Sequence, residues 1–416
     1  MVPGRRISRD MDPRIEQDVV IVGGGLAGPL CALALARAGL TSLVLDARPR
    51  PAPSPDFDGR AYALALGSVR MLRALDLWDG LVAEPIRGIR ASDGRAGKGA
   101  GPFVLSLDAA EIGEASVGHM VEDRHLRARL LDACDAEPGV TMRFDAPVTD
   151  QRVANGFAEV TTSDATHRAR LLIGADGRGS GVAERAGIRR QVTDYRQTAL
   201  VCAIAHDRPH GGLAHQFFMP PGPLAILPLT GNRSSLVWTE TPEEAAALSA
   251  LPPEAYLEAL RPRFGSFLGQ IALVGQRATF PLTLNLAQRV AEARLVLVAD
   301  AAHGIHPIAG QGLNLGFKDI AALADVLAAA GRRGEDPGAA DVTERYARWR
   351  RFDTGAMGLF TDLTNRVFST DDPALRLARG LGIGAVQALP GLRRRIIREA
   401  AGLTGDLPGL MRAGPR

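Results

Sequence analysis

The sequence predicts an α/β fold. A Rossmann-like domain, discontinuous in the chain, receives an inserted, mainly antiparallel β domain and is followed by C-terminal helices. Three observations carry this expectation. A strand, a glycine loop, a helix and a second strand open the chain at Asp18–Leu45. Two further strand-to-helix segments rich in Gly and Asp return much later, at Gly174–Ser180 and Leu295–Gly316. Between those two lie short apolar runs broken by Pro and Gly, the pattern of antiparallel strands.

The elements follow in chain order. The first sixteen residues are polar, with Arg5, Arg6 and Arg9, and are expected to be disordered. Asp18–Val22 reads as a buried strand, Leu26–Ala38 as a helix and Thr41–Leu45 as the next strand. Residues 19–36 form an uncharged run of eighteen, the length of a membrane span. Gly23, Gly24, Gly25, Gly28 and Pro29 interrupt it, so the strand–turn–helix reading replaces both a span and a signal peptide. A Pro-rich loop covers 49–55, and a helix behind a serine cap covers Ser68–Leu75. Residues 86–117 are Gly-rich and irregular, with weak strand signals. Glu122–Ala136 reads as a helix, with Leu126, Leu130 and Leu131 near helical spacing. Leu171–Gly174 is a strand, and 198–280 is the antiparallel region, with runs such as Leu224–Leu229 and Ser235–Thr239 around a helix at Pro253–Arg263. Leu295–Ala299 returns to a buried strand, Gly310–Ala330 to a helix, and the rest from about Asp341 is mostly helical. The dinucleotide domain is therefore assigned to 17–85, 118–190 and 289–335. The second domain takes 86–117 and 191–288, and the C-terminal helical region 336–416.

Composition narrows the function. With 416 residues, 46% of them hydrophobic, the chain can bury more than one core. Net charge is only +3, and Lys98 and Lys318 are the sole lysines, so the basic side is arginine spread along the chain. This argues against nucleic-acid binding. Cys31, Cys134 and Cys202 have neither metal-ligand spacing nor a disulfide framework; they read as small buried residues of a protein in a reducing compartment, the cytoplasm.

Gly23-Gly24-Gly25-Leu26-Ala27-Gly28 fits G-x-G-x-x-G between a strand and a helix. Gly23 permits the tight turn, Gly25 lets backbone approach a pyrophosphate, and Gly28 lets the helix pack against the sheet. The amides around Leu26 and Ala27, at the helix N-terminus, attract phosphate. Asp46, eighteen residues past Gly28, suits the hydroxyls of an unphosphorylated ribose, with Arg48 beside it. This motif alone leaves FAD and NAD open.

Asp300 decides for FAD. It ends the strand Leu295–Ala299, where ligands of open α/β sheets bind, and its carboxylate can hold ribityl hydroxyls that NAD lacks. Pro307, Gly310, Gly312, Leu313 and Asn314 follow. Gly310 and Gly312 clear side chains from the path of a flat ring, and the helix they open aims its positive end at it. Asp176 and Gly177, in Gly174-Ala-Asp-Gly-Arg-Gly-Ser180, supply a third turn that can touch the dinucleotide or an approaching nicotinamide. The motifs provide no second fingerprint for a nicotinamide and no metal cluster or nucleophilic triad.

In this order, the three segments resemble the single-component flavoprotein aromatic hydroxylases typified by p-hydroxybenzoate hydroxylase. They are more similar still to the ubiquinone-biosynthesis hydroxylases, the UbiH/UbiF/VisC group. Asp58-Gly-Arg60-Ala-Tyr-Ala-Leu-Ala-Leu-Gly-Ser68 resembles the arginine segment of that group, and Val121-Glu-Asp-Arg124-His-Leu126 its arginine-bearing helix. Gly222–Leu229 and Ser235–Thr239 resemble its substrate-domain strands, and His306-Pro-Ile-Ala-Gly-Gln-Gly-Leu-Asn-Leu-Gly316 is the most specific match. The resemblance runs from about Asp18 to the last helices. It implies that Arg60 and Arg124 reach the cofactor and that Val148 lies near the adenine. It also implies NAD(P)H as electron donor, O2 as co-substrate, and ring hydroxylation of a polyprenylated ubiquinone precursor through a flavin hydroperoxide. Three departures stand out: Ala299 where Gly is usual, Ala183 where many members have Arg, and Asp46 where Glu is common.

His303 and His306 are candidates for proton transfer, with loop-fixing hydrogen bonds as the favoured reading. Phe217, Leu227 and Trp238 are candidate substrate-cavity residues, or ordinary core. Arg393, Arg394, Arg395 and Arg398 with Leu392, Ile396 and Ile397 make a basic amphipathic segment. It suggests peripheral contact with the inner membrane, which suits a prenylated phenol or quinone-type substrate. Association with other ubiquinone-biosynthesis proteins is a further expectation. Two alternatives remain: another FAD oxidoreductase on the same scaffold, such as a soluble-phenol hydroxylase or a prenyl reductase, and a non-catalytic flavin-binding assembly protein.

Overall fold

A computed structural model describes residues 17–95, 99–305, 311–351 and 373–412. The N-terminal segment expected to be disordered lies outside the described residues.

Apolar residues without alternation predict strands buried on both faces, and Val19–Val22, Ser42–Leu45 and Leu171–Gly174 are all fully buried. With Val140–Arg143 and Leu295–Leu297 they make five parallel strands, closed at one edge by the short antiparallel Ala291–Glu292. The register sets Leu45, Val22, Gly174 and Leu297 side by side across the sheet. On one face pack the helices Ala27–Arg37, Asp123–Ala136 and Gln311–Arg332. The other face is covered by a three-stranded meander, Val148–Ala154, Phe157–Thr162 and Thr166–Ala169.

A mixed eight-stranded sheet forms the second layer. Its two longest strands, Arg190–His206 and Ile271–Ala287, have seventeen residues each and pair antiparallel toward one edge. One face of this sheet joins the central core through Ala203, Ala214 and Leu229. The opposite face is covered by the helices Pro242–Ser249 and Pro253–Phe264, whose Tyr256 packs with Leu236 and Trp238 of the sheet. A small sheet of Ala61–Ala65, Gly118–Glu122 and Ala83–Ile86 lies between the two layers.

Two local expectations are corrected, and one element goes beyond what the sequence signals. Residues 86–117, read as irregular, contain a paired hairpin, Gly88–Arg95 and Gly99–Asp108, at the edge of the large sheet. The glycines of that stretch hide its period-two pattern, and edge pairing supplies the order that propensity withholds. The helix read as Ser68–Leu75 begins at Leu66, and Ser68 does not cap it. Ser68 is buried and donates its hydroxyl to Asn314 Oδ1 at 2.8 Å. The meander on the back of the parallel sheet was not read, because its first strand is largely exposed and carries little apolar signal.

Candidate functional site

The glycine loop is held by contacts that only glycine satisfies. A Cβ on Gly28 would come 1.8 Å from the carbonyl oxygen of Gly23, and one on Gly23, at φ +115°, 2.4 Å from that of Ala175. Gly25 differs: no heavy atom lies within 4 Å of its Cβ position, so this backbone faces open space. Gly24, to which the motif gives no role, is also constrained. Its amide donates to Asp46 Oδ2 at 2.5 Å, and a Cβ would meet the Asp46 side chain at 2.8 Å. Asp46 Oδ1 accepts the Arg48 amide at 2.7 Å, which leaves a nearly buried carboxylate at the lip of a cleft. Leu26 is buried in the central core, and Ala27 begins the helix that points at the loop. These residues fit a dinucleotide: room over Gly25 for a pyrophosphate, helix amides around it, and an acceptor for ribose.

The cleft, about 530 Å³, runs from Gly24 and Asp46 along the Pro-rich loop to Arg60, Arg124 and Arg127. Asp123, at the start of the helix Asp123–Ala136, lines it, and Glu122 is buried just before that helix. Buried Asp123 accepts from Tyr62 Oη at 2.8 Å and Arg127 at 2.8 Å, and pairs with Arg60 at 3.2 Å. Buried Glu122 accepts from Arg124 at 2.8 Å and from Arg233, on a strand of the large sheet, at 2.8 Å. Hydrogen bonding to Asp58 holds the Arg60 guanidinium above its ordinary pKa, despite partial burial. Arg60 pairs with Asp58 as well, and arginines and aspartates balance along the cleft, so its guanidiniums offer donors to a pyrophosphate without a net positive wall.

The third element is the turn Ala299–Ala301. Asp300 is 42% exposed at the side chain, and Arg178 Nε lies 3.2 Å from its Oδ2. Its carbonyl and that of Ala301 accept from Arg190, at 3.1 and 2.5 Å. Burial lowers the Arg190 pKa, while Asp176 and Asp300 act in the opposite direction. Below the turn, Asp319 of the helix Gln311–Arg332 accepts from the Ala299 amide at 3.0 Å, His303 Nε2 at 2.6 Å and Arg350 Nε at 2.7 Å. Burial alone would push the Asp319 carboxyl up, but His303 and Arg350 outweigh it and the net direction is down. Asn314 is a clamp: Oδ1 accepts from Ala65 N and Ser68 Oγ, and Nδ2 donates to Ala63 O, each at 2.8 Å. A Cβ on Gly312 would meet Ile305 at 3.7 Å, an ordinary contact distance, and Leu313 packs half-buried on the central core.

Several predicted site residues have other partners. Asp176 accepts from Ser180 Oγ at 2.6 Å and the Val182 amide at 3.0 Å, so its carboxylate caps the helix Gly181–Arg185; Gly177 takes the turn at φ +83°. Ala183 is fully buried in the core under the parallel sheet. Val148 packs half-buried on that same core, close to Ala146, whose amide donates to the Asp46 carbonyl at 2.9 Å. Phe217, Leu227 and Trp238 do not line one cavity. Phe217 and Trp238 face the helices on the back of the large sheet, and Leu227 faces the central core. Side chains alternate across a strand, so these three lie on opposite faces. His303 is buried against Asp319, the loop-fixing arrangement. His306, Pro307 and Gly310 lie outside the described residues. Among the described residues no His, Cys, Asp and Glu group could hold a metal. The three cysteines are buried free thiols, and burial pushes them up to between about 11 and about 12.

Sequence reasoning missed Asp319, Arg350, Arg190 and the Glu122–Asp123 pair. The signal for Asp319 was an acid between Phe317 and Ile320 in a buried apolar helix stretch, where an ionised group needs partners. Arg350 and Arg190 offered no local signal, since their partners are distant in sequence.

The family model described as FAD binding domain matches residues 16–351. The chain is 44% identical over 405 residues to ubiquinone hydroxylase UbiL of Rhodospirillum rubrum, covering 96% of this chain and 93% of that protein. It is 34% identical over 393 residues to 3-demethoxyubiquinol 3-hydroxylase of Escherichia coli, covering 93% and 98%. The structure superposes on p-nitrophenol 4-monooxygenase PnpA of Pseudomonas putida with a TM-score of 0.77 at 22% identity, covering 94% and 98%, which shows the shared fold. The chain therefore belongs to the FAD-binding family that includes the ubiquinone-biosynthesis hydroxylases.

Proposed function

We propose that this protein is an FAD-dependent monooxygenase that hydroxylates the aromatic ring of a polyprenylated ubiquinone precursor, with NAD(P)H as electron donor and O2 as co-substrate. One observation carries the reading. Four neighbouring parallel strands end in register, and the residues that follow them are Gly23, Asp46, Ala175 and Val298. Open α/β sheets bind ligands at this edge. FAD, when bound, supplies the redox chemistry: it takes a hydride from NAD(P)H and activates O2 for transfer of one oxygen to the ring.

This chain's residues hold and orient. Gly25 leaves room for the pyrophosphate, the N-terminus of Ala27–Arg37 and the arginines of the cleft offset its charge, and Asp46 accepts from ribose. Asp300 is the acceptor for the ribityl chain. Residues 17–85, 118–190 and 289–335 hold FAD, while 86–117 and 191–288 shape the substrate side. The inner face of the large sheet, with Ala203, Ala214, Leu227 and Leu229, excludes water from that side. The chemistry of the relatives' printed substrates supports a prenylated phenol. The membrane contact rests on the exposed basic face of the helix Pro390–Ala400. Association with other enzymes of the same biosynthesis is the remaining part of this proposal.

The test is turnover with a synthetic short-chain prenylphenol. The reading predicts substrate-stimulated NAD(P)H oxidation, matched O2 uptake and a product with one added hydroxyl. Saturation of a prenyl double bond without O2 uptake would favour a reductase, and FAD binding without turnover an assembly role. In cells lacking the protein, an accumulated quinone intermediate short of one hydroxyl identifies the ring position.

A further inference from the structure

Asp319 lies outside the glycine loops, touches no open cleft and still organises the turn that carries Asp300. Its two oxygens accept three hydrogen bonds from three parts of the chain: the Ala299 amide, His303 Nε2 and Arg350 Nε. Asp319, His303 and Arg350 side chains are each 1% exposed. One helical turn before Arg350, Tyr346 donates its hydroxyl to the Leu297 carbonyl at 3.0 Å. The helical stretch 340–351, in the C-terminal region of the chain, therefore grips the strand leading into the turn and neutralises the acid beneath it. A buried carboxylate without a cation would be strongly unfavourable, so Arg350 makes Asp319 possible at this position. Ala299 needs that acceptor most, because its amide is buried and its backbone sits at φ +52°, where L-residues are strained.

We propose that Asp319 is a positioning residue for the flavin: with Arg350 as its counter-ion, it fixes the Ala299–His303 turn so that Asp300 faces the ribityl chain, which places cofactor affinity under the control of that helical stretch. The proposal rests on FAD binding at this turn. It differs from a general stabilising role because it predicts that cofactor affinity and fold stability separate.

The experiment measures FAD affinity by fluorescence quenching on apoprotein, with thermal unfolding of the same samples. Asp319→Asn keeps the side-chain volume but leaves Arg350 without its charge partner; an FAD Kd at least tenfold weaker is expected. Because this variant can lose fold stability as well, the double substitution Asp319→Leu/Arg350→Leu is measured beside it. It removes both charges together, an exchange that cores tolerate. The expected result is a Tm above that of Asp319→Asn, because no charge is left buried alone, with FAD affinity still at least tenfold weaker and a shifted flavin absorbance band, since the Ala299 amide and His303 have lost their acceptor. Arg350→Lys, which keeps a cation beside Asp319, should retain most of the affinity. Wild-type affinity and spectrum in the double variant overturn the proposal, as does FAD affinity that follows Tm across all variants. If wild-type apoprotein fails to take up FAD, the functional reading fails as well, and the two failures are thereby distinguishable.

Discussion

Ala299 shows how a single methyl group links two distant segments. Its φ of +52° is the region that glycine occupies freely, and a side chain there costs on the order of 1 kcal/mol. Its methyl occupies the space that Gly316 leaves: a Cβ on Gly316 would lie 2.7 Å from it. Glycine at 316 therefore accommodates alanine at 299, and each is intelligible only with the other. Gly316→Ala is expected to destabilise by roughly 1–3 kcal/mol through overpacking. Ala299→Gly should be close to neutral alone, since relief of strain is offset by a small void. Combined with Gly316→Ala it should restore most of the loss. A double-mutant cycle in urea that shows coupling below about 0.5 kcal/mol would mean the two positions do not compete for one space.

The helix Pro390–Ala400 combines two functions at the scale of an element. Ile397 is fully buried in the central core, and just past the helix Ala401 accepts from the Gly67 amide at 3.0 Å, so one face anchors the chain's end. The opposite face exposes Leu392, with Leu389 just before the helix, beside the exposed Arg394, Arg395 and Arg398. Arg393 is committed to Glu111 at 2.7 Å. No helix among the described residues is long and apolar enough to cross a membrane, so contact would be with the surface. Deleting the segment would remove core residues, and surface substitutions are the cleaner test. Leu392→Asp with Arg394→Glu and Arg395→Glu should leave Tm within a few degrees while co-sedimentation with anionic vesicles falls several-fold. Unchanged sedimentation would assign this face to solvent.

At the scale of the whole molecule, burial of histidines sets the acid limit of the fold. Burial, with Arg73 nearby, pushes His119 from its ordinary 6.5 down to about 4, and burial beside Arg90 does the same to His215. Each is held neutral in the fold but takes a proton readily when unfolded. The unfolded state therefore binds more protons between pH 6.5 and 4, and stability falls as pH drops through that window. Carboxylates held low by arginines, such as Glu335, pushed to about 2, lose their contribution only at lower pH. Thermal unfolding followed from pH 7 to 4 should show a steady decline in Tm, and His119→Gln should flatten it. An unchanged slope in that variant would remove His119 from the account. The strain of one methyl, the two-sided helix and the acid limit all belong to the same architecture, in which one continuous core joins the parallel sheet's helices to the inner face of the large sheet.

The sequence by itself determined the parallel sheet, the glycine loop and the position of Asp46, because these are set by residues adjacent in the chain. Strand periodicity, the need for glycine at Gly23 and Gly28, and an acid at the end of the second strand are local requirements. It also located the Asp300 turn and the unusual Ala299. Only the tertiary structure decided which side chains were free to act there. Asp176 and Asn314 look like ligands in the sequence, and the fold shows that both also bond backbone and neighbouring hydroxyls. Phe217 and Trp238 separate from Leu227 because a strand sends alternate residues to opposite faces, and only the packed sheet shows what covers each. The Asp319–Arg350 pair spans 31 residues and joins two helices. A buried charge finds its partner by folding, and no spacing in the sequence records that meeting.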